Sequence, residues 1–198
     1  MRHLLLSLLF FYCLPSMAEA ERYDIDNTHS FASFTIRHVV SKTAGTFPNI
    51  KGIILIDQSD LSKSSVEAKI NVASVNTNHA KRDTYIREKA EYLDAGKYGW
   101  IDFVSTKVKS TSKEEGILTG NLTMHGVTRE ISFPFKLLGF GSDPWGGQRA
   151  GFEAHTAINA SDYGFGWASK PNGPIGNDIE ITLLIEGVKN ISSYKPWN

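Results

Sequence analysis

The sequence predicts an all-β fold, an eight-stranded antiparallel β-barrel with one inserted helix. Eight short runs alternate apolar and polar residues with period two, which is typical of half-buried strands. The connections between consecutive runs are short, whereas parallel strands would need a crossover helix at nearly every step. Only residues 78–95 interrupt this rhythm. We therefore expect one mostly antiparallel sheet and one helix.

The strand-like runs are bounded by Gly, Asn, Asp or Pro, the residues that favour turns. In order they are Ser30–Val39, Phe47–Asp57, Val66–Val72, Trp100–Val108, Ile117–Met124, Ile131–Leu137, Ala150–Asn159 and Ile179–Val188. Between the fifth and sixth runs, His125-Gly126 predicts a two-residue hairpin turn, because Gly tolerates the positive φ that such turns require.

The segment 78–95 is rich in Ala, Lys, Arg and Glu. Ile86, Ala90 and Leu93 recur at helical spacing, and Asn78 is available as an N-cap. We expect one helix between the third and fourth strands.

Two architectures satisfy eight antiparallel strands with polar outer positions, a closed barrel and a two-layer sandwich. The inward positions mix large Phe, Ile and Leu with small Ala, Gly and Ser. An eight-stranded barrel has an interior just wide enough for side chains or one slender ligand, which suits this mixture. We favour a barrel with a lid helix.

The first 20 residues have the pattern of a secretory signal peptide. Arg2 precedes the apolar stretch Leu4–Leu14, and Ala18-Glu19-Ala20 offers small residues at the cleavage site. As an uncleaved anchor, this stretch would cross only about half of a bilayer core. We therefore expect residues 1–20 to be removed and residues 21–198 to form one secreted domain.

Composition excludes two classes of protein. Cleavage removes Cys13, the only cysteine, so the domain cannot depend on disulfides. Lys and Arg total 21 and Asp and Glu total 21, and removal of Arg2 and Glu19 keeps the chain neutral. Non-specific nucleic-acid binding needs a basic surplus, so a nucleic-acid partner is not expected.

The sequence contains no strong catalytic or metal-binding motif. A Gly-x-Ser-x-Gly nucleophile motif is absent, and the five remaining histidines show no zinc-ligand spacing. Gly164-Phe165-Gly166 and Trp145-Gly146-Gly147 lack the lysine of a phosphate-binding loop and are interpreted as turns or bulges. We therefore expect no catalytic residue, no resident metal and no cofactor, although a site assembled across strands stays open.

Several longer motifs resemble the YceI-like family of secreted proteins. They are Tyr23-x-x-Asp26-x-x-His29-Ser30, the stretch Ser74–Ala80, Gly120–Arg129 and Asp143–Glu153. The resemblance covers the chain from Tyr23 to Val188. It implies a lipocalin-like barrel, a periplasmic location and a non-catalytic role in carrying or storing a polyisoprenoid, such as the tail of a quinone or a prenyl phosphate. An isoprenoid lipid or quinone is then the expected partner, and transient membrane contact and a homodimer are compatible with this role.

Strand parity predicts which side chains face such a pore, subject to the rule that a one-residue register error inverts a strand. The expected pore residues are Phe34, Ile36, Phe47, Ile70, Ile101, Phe103, Leu122, Met124, Ile131, Phe133 and Phe135. For the pore mouth we expect His38, Asn76 and Arg82, with a salt bridge as the alternative role of Arg82. Ile86 and Leu93 are expected to anchor the lid.

Two other functions remain open from the sequence. One is an enzyme with a site built across strands around His29 or His38, which predicts a bound metal or turnover. The other is a stress-related barrel that binds no ligand, which predicts a fully packed interior.

Overall fold

The computed structural model describes residues 20–170 and 172–190, so most of the predicted signal peptide lies outside the described residues. The chain forms ten strands and one α-helix in this part. The strands are β1 Glu21–Ile25, β2 Phe31–His38, β3 Ser41–Phe47, β4 Ile50–Ile56, β5 Ser65–Asn71, β6 Trp100–Ser110, β7 Glu115–Met124, β8 Val127–Ser142, β9 Gln148–Asn159 and β10 Ile175–Lys189, and the helix is α1 Ala80–Glu88.

Eight of these strands close into a ring. Hydrogen bonding runs β1-β4-β5-β6-β7-β8-β9-β10, and β10 pairs with β1 to complete the circle. Every pairing is antiparallel. The predicted eight-stranded barrel is therefore confirmed, and the sandwich is excluded.

The two additional strands extend two members of the ring. Strand β10 pairs with β1 through its last residues and with β2 over Ile175–Leu184, so β1 and β2 follow one another along the same edge. Strand β3 pairs with β2 and leads through residues 48–49 into β4. Strands β1 and β2 therefore share one position of the barrel, and β3 and β4 share the next. With β5 to β10 this gives the eight positions that the sequence pattern predicts.

The helix is shorter than the sequence pattern suggests, and its cap differs. It ends at Glu88, so Ala90 and Leu93 lie in the turns that follow. The N-cap is His79, whose Nδ1 accepts a hydrogen bond from the Arg82 backbone N–H at 3.2 Å. Asn78 has a φ of 61°, and its own N–H is bonded to the Asn76 side chain. The prediction of an Asn78 cap was wrong. The side chains of Asn78 and His79 can both accept the capping bond, but the left-handed turn at Asn78 starts the helix one residue later, so that His79 accepts it.

The His125-Gly126 turn is confirmed. It joins β7 to β8, and φ is 53° at His125 and 77° at Gly126. Within the described residues, no helix is long and apolar enough to cross a membrane.

Candidate functional site

The barrel encloses an apolar cavity of about 480 Å³. Inward-facing residues of the strands line it. Residues 80–95, which contain α1 and the turns after it and which we call the lid, add side chains at one end, as does the turn Gly166–Ser169. Every predicted site residue except Asn76 lies in this lining: Phe34, Ile36, His38, Phe47, Ile70, Arg82, Ile86, Ile101, Phe103, Leu122, Met124, Ile131, Phe133 and Phe135. That these residues bind a ligand stays a prediction.

Asn76 lies outside the cavity. Its backbone N–H and C=O pair with Thr46 of β3 at 2.9 Å each, and its side-chain oxygen accepts the Asn78 N–H. It closes the gap between β3 and the segment that leads to α1. The sequence could not separate this structural role from a place at the mouth, because a polar residue before a helix suits both.

One end of the cavity is closed. Leu61, in the single turn Leu61–Lys63, is 5% exposed and lines the cavity beside buried Ile54 and Ile56. The turn begins at Asp60, whose carboxylate accepts the Ser62 N–H at 3.0 Å. This side-chain cap fixes the turn, and Leu61 packs in one buried apolar cluster with Tyr23, Ile54, Ile56, Leu137 and Ala150, which fills this end of the barrel.

Glycines in the wall leave room for aromatic rings. A methyl group at Gly120 would lie 2.5 Å from Phe103 Cζ, and one at Gly116 would lie 2.7 Å from Phe135 Cε1. Gly45 is the register partner of Phe34 and makes the same kind of contact. Because these rings lie close against cross-strand glycines, they cover the wall and leave the centre of the barrel open.

The other end opens to solvent. Four residues that line the cavity there, Arg37, His38, Arg82 and Tyr85, are exposed. Arg82 donates from Nε to Thr77 Oγ1 at 2.7 Å and from Nη2 to the Thr77 carbonyl at 2.6 Å. Its guanidinium is therefore held at the rim by hydrogen bonds to a neighbouring loop and not by the alternative salt bridge. The cationic side chains of the lining are concentrated at this mouth.

The lid is fixed by a chain of ring contacts that the sequence analysis missed. Tyr92 stacks on Trp167 with centroids 5.9 Å apart, and Trp167 packs on Phe165 at 5.7 Å. Phe165 stacks on His125 at 4.7 Å. The ring nitrogens of His125 also lie 3.2 and 3.3 Å from the carbonyl oxygens of Ala90 and Tyr163. The hairpin turn between β7 and β8 thus supports the lid.

The only sequence signal for this contact chain was the unusual Gly164-Phe165-Gly166 tripeptide. Gly164 has a φ of 81° and ends the turn Ala160–Tyr163, as expected for a turn glycine. Phe165 is 3% exposed and lines the cavity. Its burial depends on strands far away in sequence, which no local pattern reports.

A second polar cluster surrounds Arg149, outside the cavity. Arg149 Nη1 lies 2.7 Å from Asp26 Oδ2 and also pairs with Glu186, and its Nε lies 2.9 Å from Asp143 Oδ2. His29 Nδ1 is 2.8 Å from Asp26 Oδ2. The motifs Tyr23–Ser30 and Asp143–Glu153 therefore meet at one place, although Asp26 and Arg149 are 123 residues apart.

The electrostatics of this cluster are those of an ion-pair network. Burial raises the pKa of Asp26, but hydrogen bonds from Thr28, His29 and Arg149 outweigh it and hold the pKa well below its ordinary range. Burial lowers the pKa of Arg149, but bonds to Asp26, Glu186 and Asp143 raise it further. Asp26, His29 and Glu186 have ligand atoms close enough for a cation. Since the guanidinium already pairs with both carboxylates, the arrangement serves to join β10 to the loops before β2 and β9.

Comparison with known proteins agrees with this architecture. The model of the YceI-like domain matches residues 23–187. The chain belongs to the YceI-like family. A UPF0312 protein of Serratia proteamaculans is 40% identical over 175 residues, covering 88% of each chain. Protein YceI of Salmonella arizonae is 38% identical over 185 residues, covering 93% of this chain and 94% of the relative.

Solved structures share the YceI-like fold. Burkholderia cenocepacia BcnA superposes with a TM-score of 0.73 at 20% identity, covering 82% of this chain and 98% of that one. A structure from Saccharophagus degradans, described as a polyisoprenoid binding domain implicated in plant cell wall breakdown, superposes with a TM-score of 0.66 at 17% identity. It covers 87% of this chain and all of that one. At these identities the likeness concerns the fold.

Proposed function

We propose that this YceI-like protein binds a polyisoprenoid chain, of the quinone or prenyl phosphate type, inside the barrel for carriage or storage. The observation that carries the proposal is the shape and chemistry of the cavity. It is apolar along the barrel, with buried Leu61 at one end and, at the other, an open mouth where its cationic side chains lie. The description of the Saccharophagus degradans domain supports the same ligand class.

An apolar, one-ended cavity suits a long hydrocarbon tail with a polar head. Each buried methylene-sized group contributes about 0.8 kcal/mol, so one isoprene unit contributes roughly 3 to 4 kcal/mol before ordering costs. Two or three buried units supply useful affinity without any hydrogen bond. The head group then stays at the mouth, near Arg37, His38 and Arg82, where donors for a quinone oxygen or a phosphate are present.

The cavity also favours binding over the two alternative functions. A fully packed barrel would have no cavity of about 480 Å³. A catalytic histidine needs a partner that orients or activates its ring, whereas no hydrogen bond or ion pair joins the His38 ring to another group in the part of the chain that the structure describes. His29 lies in the ion-pair network around Arg149 and does not line the cavity. We therefore propose a binding protein and not an enzyme.

We also propose that the protein works in the periplasm after removal of residues 1–20. The basic start, apolar stretch and Ala18-Glu19-Ala20 support export. A carrier in that compartment would hold a water-insoluble tail between membranes.

Native mass spectrometry of the gently purified secreted protein tests this function. We expect an added mass of prenyl-lipid size on the wild type. The Phe103→Asp variant places a charge in the cavity wall and should lose that mass, whereas Val104→Asp, on the outer face of the same strand, should keep it. A metal-sized mass, or lipid retained by a folded Phe103→Asp variant, would refute the proposal.

A further inference from the structure

The turn between β2 and β3 exposes two apolar side chains beside the cavity mouth. Val39 and Val40 are the two residues between His38 and Ser41. Val40 is 97% exposed, more than any other large hydrophobic residue that the structure describes, and Val39 is 54% exposed. We call these two residues the valine tip.

Neither folding nor solubility explains valine at this turn. Val39 has a φ of 53°, the left-handed region, where a β-branched residue is strained. Two-residue hairpin turns favour Gly, Asn or Asp at such a position. The side chains of the tip contribute little to the core because both are exposed. A polar or glycine turn would be easier to form and more soluble, so the apolar side chains require another explanation.

Hydrogen bonds hold the valine tip at the entrance of the cavity. The Val39 N–H donates to the Pro174 carbonyl at 2.6 Å, and Arg37 donates to the carbonyls of Val39 and Gly173 at 3.2 and 3.0 Å. Arg37 and His38, directly before the tip, line the cavity. Any surface that binds the valine tip therefore lies next to the cavity mouth.

The surroundings of the tip are basic and amphipathic. Arg37 and Lys42 are register partners immediately behind it, and Lys42 is paired with the exposed Glu180 at 2.6 Å. Tyr85, 47% exposed at the mouth, has Lys89 over its ring at 5.7 Å. An apolar tip with cations behind it, at a mouth that also exposes an aromatic residue, is suited to the interface of an anionic bilayer, where the tip enters the lipid and the cations meet head groups.

From this placement we propose that the valine tip inserts into the surface of an anionic lipid bilayer and brings the cavity mouth against the acyl chains. A prenyl tail could then slide between bilayer and barrel without crossing water, a step that rests on the proposed function. A protein partner fits less well, because stable protein interfaces bury about 1,200–2,000 Å² and the tip offers two side chains.

Vesicle flotation tests the docking step independently of any bound lipid. The probe is vesicles of phosphatidylglycerol and phosphatidylcholine in equal parts. Because burying one valine corresponds to roughly a tenfold change in partition, we expect Val40→Asp to reduce flotation about tenfold or more. Val104→Asp, a matched change on the barrel wall, should float like the wild type. Higher salt should weaken flotation, since it screens Arg37 and Lys89.

A second variant keeps the test independent of folding. Val39→Gly removes a side chain from a position whose positive φ suits glycine, so it should be at least as stable as the wild type and still float less. Wild-type protein that does not float, or a Val39→Gly variant that floats equally, would overturn the proposal. In the first case a protein partner becomes the better explanation of the tip.

Transfer of a dansyl-labelled farnesol probe separates this inference from the proposed function. We expect Val40→Asp to bind the probe from solution as tightly as the wild type but to take it from vesicles about tenfold more slowly. Wild-type protein that floats but does not bind the probe would contradict the proposed function alone. Equal transfer rates in both proteins would contradict the membrane step alone.

Discussion

The width of the cavity is expected to depend on Gly45. A methyl group at this position would lie 2.6 Å from Phe34 Cε1 and 2.9 Å from Thr77 Cγ2. Ordinary contact between carbon atoms needs about 3.5–4.0 Å, so in Gly45→Ala the Phe34 ring has to move roughly 1 Å towards the centre of the barrel. The ring already packs on Phe47 with centroids 5.6 Å apart, which restricts its other movements.

Two consequences of Gly45→Ala can be estimated. Overpacking should lower the free energy of unfolding by about 1–3 kcal/mol. If the displaced ring excludes one isoprene unit, the loss is roughly 3 to 4 kcal/mol of binding, or a factor of several hundred in affinity. The assay is fluorescence titration with dansyl-labelled farnesol, together with urea unfolding of each variant.

The matched control is Gly141→Ala, also in a strand, where an added methyl group would meet nothing within 4 Å. Its affinity and stability should equal those of the wild type. The double variant Gly45→Ala/Phe34→Leu should regain much of the affinity because the smaller side chain leaves the space. Unchanged affinity in a folded Gly45→Ala protein would refute the argument that wall glycines keep the lumen open.

Two further predictions concern stability. The Tyr163 hydroxyl is buried without a hydrogen-bond partner among the described residues, and burial raises the pKa of Tyr163 to about 12. Tyr163→Phe should therefore increase the free energy of unfolding, measured in urea, by about 1 kcal/mol. A clear loss of stability would show that the hydroxyl has a partner. For Asp26, whose pKa lies below the ordinary value of about 3.9, the stabilisation is present above that pH and is lost as the pH falls. Asp26→Asn should lower the free energy of unfolding by about 1.5–3 kcal/mol at neutral pH, since Arg149 keeps its bonds to Glu186 and Asp143. It should also flatten the acid limb of the stability curve, and an unchanged acid limb would contradict this role.

The strands and their faces were predictable from the sequence because each depends on a period-two pattern within a few residues. Phe34 and Phe103, for example, face the cavity as their parity predicts. Ring closure was predicted less directly, from short connections and from the mixture of small and large inward residues. Strands β1 and β3 were missed, since both are short and carry little alternation.

The parts of the site that the sequence could not predict depend on distant contacts. Leu61 packs against Ile54 and Ile56 through the single turn that follows β4, and Trp167 stacks on Tyr92 of the lid. Arg149 meets Asp26 across most of the chain length. For Asn76, a place at the mouth was predicted from the local preference for polar residues before a helix. In the structure Asn76 instead forms a backbone bridge with Thr46.

A crystal structure of the gently purified protein would show whether the barrel holds a prenyl chain with its head at the mouth. We expect continuous, methyl-branched density from the mouth near Arg37 and Arg82 to Leu61 at the other end. A cavity filled by ordered water, or collapsed by inward movement of Phe34 and Phe103, would contradict prenyl-chain binding in the barrel.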